Sequence, residues 1–210
     1  MNLISGSIFP DAGKIFIDDR DITFMSEHKR AKLIGRIFQD PLKGTAPNLT
    51  IEENLSLAML RNSKRNLLFG TNYKNLDFFT EKLSELNLGL ENRVNTKIGS
   101  LSGGQRQAVT LLMATLVRPK ILLLDEHTAA LDPKSREKIL DITKKITEDP
   151  EITTLMITHN MEMAVDFGNR TIVLKNGKMI FDLKGNDRKT LNLCDLSEVL
   201  NKIVEEGSTV

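Results

Sequence analysis

The chain has 210 residues, 29 Lys+Arg against 28 Asp+Glu for a net charge of +1, and 40% hydrophobic residues. That is enough apolar material for a full core without staples, and the charge balance excludes a strongly basic nucleic-acid footprint or an acidic tail. A lone cysteine, Cys194, excludes an internal disulfide framework. The uncharged run Ala108–Val117 is too short for a bilayer, and MNLISGSIFPD has no basic segment ahead of its apolar residues.

Met1–Gly6 reads as the end of a helix stopped by glycine. Pro10-Asp11-Ala12-Gly13 is a turn, and KIFIDDRDIT after it alternates at Ile15 and Ile17 as an edge hairpin would. AKLIGRIFQ, residues 31–39, predicts a strand that Pro41 and Gly44 terminate. Thr50 with Glu53 is a capping box opening a helix to about Arg61. A second amphipathic helix spans 74–88, with Leu76, Phe79, Leu83 and Leu86 on one face. Ile121–Leu124 is an apolar run typical of a strand buried on both faces, and Thr153–Thr158 reads the same way. Asp132-Pro133 is an N-cap with proline at the first helical position, leading to a helix over Arg136–Thr147. A short helix at Met161–Phe167, a hairpin about Asn176-Gly177 and a terminal helix at Asp195–Glu206 complete the chain. Strands alternating with helices after residue 120 predict a mostly parallel α/β core, with an inserted helical subdomain before it. The expected boundaries are 1–44 partial core, 45–117 helical subdomain, 118–185 core and 186–210 a C-terminal helical extension.

Several short segments carry chemistry. Leu101-Ser102-Gly103-Gly104-Gln105 precedes a helix, so two glycines, a hydroxyl and the free N–H groups of a helix start can meet an oxyanion. Serine and glycine are also ordinary turn residues. ILLLDE places Asp125 and Glu126 at the end of a buried strand, pointing to opposite sides. One suits a hard divalent cation and the other a water nucleophile, unless both are solvated acids. His159 follows a second strand, at an edge where it can meet a phosphate or simply be a satisfied loop histidine. Gln39 offers an amide at a similar strand end. No Cys/His spacing suggests zinc. Phosphate, divalent metal, a base and a histidine together are the parts of nucleotide hydrolysis.

These segments resemble the ATP-binding cassette family of ATPases. LSGGQ at 101–105 matches its signature, ILLLDE its Walker B strand, Ala130-Leu131-Asp132 its D-loop, His159 its switch histidine, and Gln39 in IFQDP its Q-loop. The resemblance implies a P-loop NTPase-type fold with an inserted helical subdomain, with ATP and Mg²⁺ as cofactors. It also implies roles. Asp125 supports the metal shell, to which Gln39 also reaches, and Glu126 polarises the attacking water. His159 contacts the γ-phosphate. Ser102, Gly103, Gly104 and Gln105 meet the ATP held by an opposite subunit, and Asp132 acts across that interface. Implied partners are a second ATPase subunit in a homo- or heterodimer, transmembrane permease subunits and a solute-binding protein, with no nucleic acid. The implied location is cytoplasmic, peripheral on the inner face of the cell membrane.

His127 stands where many relatives have proline, and Ala108 where many have arginine; with LLMATLV and ITHNM these resemble a branch of bacterial importers of small organic solutes. No G-x-x-x-x-G-K-S/T run occurs in the chain. Asn2–Thr23 resembles the stretch after the Walker A helix. The expectation at this level is therefore a cassette truncated at its N-terminus, with Walker A and N-terminal strands missing, and defective in ATP binding. A non-catalytic partner that lends its signature to a complete subunit, and a soluble cassette ATPase of repair or translation, are the alternatives.

Overall fold

The computed structural model describes residues 1–62 and 75–189, which fall into two compact units divided between Ile157 and Thr158. The expected terminal helix at 195–206 lies outside the described residues.

The first unit opens with α1 (Asn2–Ser5), capped by Gly6 in the left-handed conformation (φ 85°). β1 (Phe16–Ile17) and β2 (Arg20–Asp21) pair antiparallel about Asp18 (φ 51°). The expectation that N-terminal strands are missing is corrected by this pair. It is pinned by Thr23, whose Oγ1 accepts from the Ile15 N–H at 2.9 Å and donates to Asp21 Oδ1 at 2.6 Å. After α2 (Glu27–Arg30), β3 (Ile34–Ile37), β4 (Ile121–Asp125) and β5 (Thr153–Ile157) form a parallel sheet in the order β3-β4-β5.

The period-two alternation of β4 separates two cores. Leu122 and Leu124 face Ile37, Leu111, Leu131 and Ile139, contributed by β3 and the helical side. Leu123 faces Ile17, Ile22 and Ile34, closed by the β1–β2 hairpin and by Met1 and Ile4 of the N-terminal segment. β4 is thus buried on both faces, as its apolar run predicts. β5 is not, and Ile157 is exposed. It is an outer strand of this sheet, which its composition does not reveal.

A separate apolar cluster holds the helical block. The Thr50 capping box forms as expected and starts α3 (Ile51–Met59), which continues as a 3₁₀ turn to Asn62. α3, α4 (Leu76–Ser84) and α5 (Gly103–Thr115) bury Leu55, Phe79, Leu83, Val109 and Leu112 together. α5 also presses on β3: a Cβ on Gly35 would lie 2.9 Å from the Ala114 carbonyl oxygen. α6 (Pro133–Thr147) begins directly at the proline, three residues before the sequence expectation, because Asp132 caps it.

In the second unit, Asn160 caps α7 (Met161–Asp166). β6 (Arg170–Lys175) and β7 (Lys178–Lys184) form the expected hairpin, with Asn176 and Gly177 both at positive φ. Arg170 and Asp182 make a bidentate pair across it at 2.8 and 2.7 Å. α8 (Gly185–Lys189) follows, and its buried Arg188 donates to the Ala164, Val165 and Phe167 carbonyls at the end of α7.

Candidate functional site at the β3 and β4 strand ends

The parallel register pairs Ile37 with Leu124 and Asp125 with Ile157. Gln39 therefore emerges beside Glu126, and its Nε2 donates to Glu126 Oε2 at 3.3 Å. The chain turns sharply at Glu126, which has φ 45°, a left-handed conformation costly for a residue with a Cβ. Its N–H donates to the Ile157 carbonyl at 3.0 Å, and its own carbonyl accepts from Ala129 at 3.0 Å. That turn sends the carboxylates of Asp125 and Glu126 in different directions.

Asp125 has a neighbour that the motifs do not announce. Arg36 NH2 lies 3.5 Å from Asp125 Oδ2. Arg36 also donates to Ser5 and Asn2 of α1, and it stacks on Phe38 with its guanidinium carbon 4.6 Å from the ring centroid. The pairing follows from strand parity, since Arg36 sits level with Leu123 and so shares a sheet face with Asp125. Asp125 is partly exposed, with hard oxygens suited to Mg²⁺, an ion that takes one or two carboxylates and keeps water and phosphate ligands. Among the described residues no group of three or more His, Cys, Asp or Glu comes together as a metal site.

A second cluster lies where α5 and α6 begin. Ser102 is the N-cap of α5, its Oγ accepting from the Gln105 N–H at 3.2 Å while Gln105 returns a bond to the Ser102 N–H at 3.3 Å. The Ser102 hydroxyl hydrogen remains to donate outward, with the first N–H groups of the helix, at Gly103 and Gly104. The S-x-x-Q spacing could have revealed this capping box. Gly104 is needed for close approach, because a Cβ there would lie 2.6 Å from both Cβ and Oγ of Ser135. Ser135 in turn donates its N–H to Asp132 Oδ1 at 3.0 Å. Its hydrogen bonds, side chain first, hold the exposed Asp132 carboxyl below its usual range. Together Ser102, Gly104, Gln105, Lys134, Ser135 and Lys138 line an open cleft of about 280 Å³.

His127 follows Glu126 and is buried, 1% exposed. Its Nε2 is 2.9 Å from Thr143 Oγ1 of α6, and burial lowers its pKa from 6.5 to about 4. His159 is exposed and belongs to the second unit, two residues after β5. The structure thus brings Gln39 to Glu126, Arg36 to Asp125, and the signature segment to the Asp132 cap.

A family model described as ABC transporter matches residues 1–129. The chain belongs to the ABC transporter family. It is 43% identical over 202 residues to a tyrosine transport ATP-binding protein of Clostridioides difficile, covering 94% of this chain and 78% of that protein. To a methionine import ATP-binding protein of Oceanobacillus iheyensis it is 36% identical over 182 residues, covering 85% of this chain and 51% of the relative. Among solved structures, an ATP-binding cassette captured as a dimer in a post-hydrolysis state with ADP and Pi superposes with TM-score 0.71 at 31% identity, covering 87% of this chain and 78% of the other.

These findings correct the reading of the chain as a disabled cassette without N-terminal strands. The family match begins at residue 1, and the matched N-terminal segment is folded into α1, the β1–β2 hairpin and β3. The match gives no sign of a defective Walker A region, which corrects the expectation of failed ATP binding. Among the described residues no helix is long and apolar enough to cross a membrane.

Proposed function

We propose that this chain is the ATP-hydrolysing subunit of an importer-type ABC transporter, working in a head-to-tail dimer at the cytoplasmic face of the membrane. The observation that carries this reading is the Gln39–Glu126 contact at the strand ends, with Asp125 in the same turn. Bound Mg²⁺ would supply charge neutralisation on the phosphates. Asp125 would hold it, with Gln39 within reach. Glu126, turned away from Asp125, polarises the attacking water, and the Gln39 amide orients its carboxylate. His159 contacts the γ-phosphate. Ser102 and the N–H groups of Gly103 and Gly104, with Gln105 fixing the cap, receive the γ-phosphate of the opposite subunit's ATP. Asp132 meets that subunit across the interface, and residues 45–117 act as the helical subdomain that swings on closure.

Partner contacts are supported by the surface near the Q-loop. A cleft of about 210 Å³ lies there, lined by Gly44, Leu57, Ala58 and Met113 together with Arg36 and Arg61. It suits a permease segment. A solute-binding protein would complete the system. The two relatives are named for tyrosine and methionine, so amino acids are the first cargo class to assay.

Purified protein is expected to bind labelled ATP and hydrolyse it with Mg²⁺. Glu126→Gln is expected to lower kcat by about 10²-fold or more with ATP binding kept, the scale of a lost general base. A wild-type chain that neither binds nor hydrolyses ATP would sink the reading.

A further inference from the structure

The hydrogen-bond chain behind Glu126 assigns a role to His127. Thr143 Oγ1 donates its hydrogen to the Ile139 carbonyl at 2.8 Å, so its contact with His127 Nε2 at 2.9 Å requires the proton on that nitrogen. Nδ1 is buried without a hydrogen-bond partner, which also places the proton on Nε2, since a buried orphan N–H is costlier than an orphan acceptor. Both side chains are buried, His127 at 1% and Thr143 at 0% exposure. The preceding residue is Glu126 at φ 45°, a strain that persists only where flanking contacts over-determine the backbone. On one side those contacts are the pairing of Asp125 with Ile157 and the Glu126 N–H to the Ile157 carbonyl. On the other side stands the His127–Thr143–Ile139 chain on α6.

We infer that His127 is a positioning residue, tying the turn that carries Glu126 to α6 through its Nε2–H and so aiming the Glu126 carboxylate beside Gln39. This rests on the hydrolytic reading above and adds a specific support to it. Proline at this position would stiffen the turn covalently; histidine anchors it to a helix instead.

The test compares His127→Leu, which keeps bulk and loses the donor, His127→Gln, whose amide can donate from a position like Nε2, and Thr143→Val. His127→Leu and Thr143→Val are each expected to lower kcat for Mg-ATP at least tenfold with KM within threefold. His127→Gln should stay within threefold of wild type, and the double variant His127→Leu/Thr143→Val should be no worse than either single one. Retention of kcat in either single variant, or failure of His127→Gln to rescue, overturns the inference. A wild-type protein without ATPase activity counts against the hydrolytic reading alone, and nitrogen-15 NMR then decides this one. A protonated Nε2 with a bare Nδ1, and Glu126 backbone shifts that move in His127→Leu but not in His127→Gln, support it. An Nδ1–H tautomer refutes it, and this readout on the wild type does not depend on any variant folding.

Discussion

Glu126 shows how much a single residue's backbone matters to the site. Its left-handed φ turns its carboxylate away from Asp125, so two adjacent acids have different surroundings: Arg36 beside one, Gln39 beside the other. The same turn buries His127, with a consequence for stability. Its folded pKa of about 4 lies below the ordinary 6.5, so between those values the unfolded chain binds more protons than the folded one. Stability is therefore full above pH 6.5 and is lost as pH falls towards 4. Urea unfolding of the metal-free protein is expected to show about 2 kcal/mol lost to this residue between pH 7 and pH 5. His127→Leu should flatten that part of the profile; an unchanged slope would refute the assignment.

At the scale of elements, the contact between α5 and α6 is set by Gly104 against Ser135. Alanine at 104 has nowhere to put its methyl group, so Gly104→Ala is expected to cost about 1–3 kcal/mol by overpacking. Ser135→Gly in the same chain should recover most of that loss in thermal unfolding, and purely additive effects would show that the contact does not limit. Arg30 plays a comparable part around α1 and α2. Fully buried, it donates to the carbonyls of Leu3, Ile4, Thr23 and Met25 at 2.6–2.9 Å. It thereby satisfies the end of a four-residue helix that could not stand alone. Arg30→Met is expected to destabilise the protein by about 3 kcal/mol or more, because several buried carbonyls lose their donor. Arg30→Lys should recover little, since one ammonium cannot reproduce the planar fork. Denaturant midpoints of the two variants check this.

On the whole molecule, apolar surface is not confined to the cores. Phe9, Phe16 and Phe24 are exposed, Phe24 at 78%, and the Phe9 and Phe24 rings lie 6.1 Å apart. Phe24→Ser is expected to leave stability within about 0.5 kcal/mol while reducing binding of an apolar dye and raising the concentration at which the protein aggregates. A large loss of stability would mean that the ring is packed in solution.

What could be read from the sequence alone follows local rules. The Thr50–Glu53 box, the Asp132-Pro133 helix start, the Asn176-Gly177 hairpin and the doubly buried β4 depend on neighbours a few residues apart, where capping geometry, φ preferences and side-chain period act directly. The motifs at Gln39, Ser102–Gln105, Asp125, Glu126 and Asp132 were legible as chemistry, and the family followed from their order. Only the tertiary structure decided which of them meet. Arg36 reaches Asp125 across 89 positions in the chain, and His127 reaches Thr143 across 16. Ser135 lies against Gly104, and β5 stands at the outside of its sheet. Such pairings depend on strand order, register and helix docking, in which every contact is made by residues that no local pattern connects.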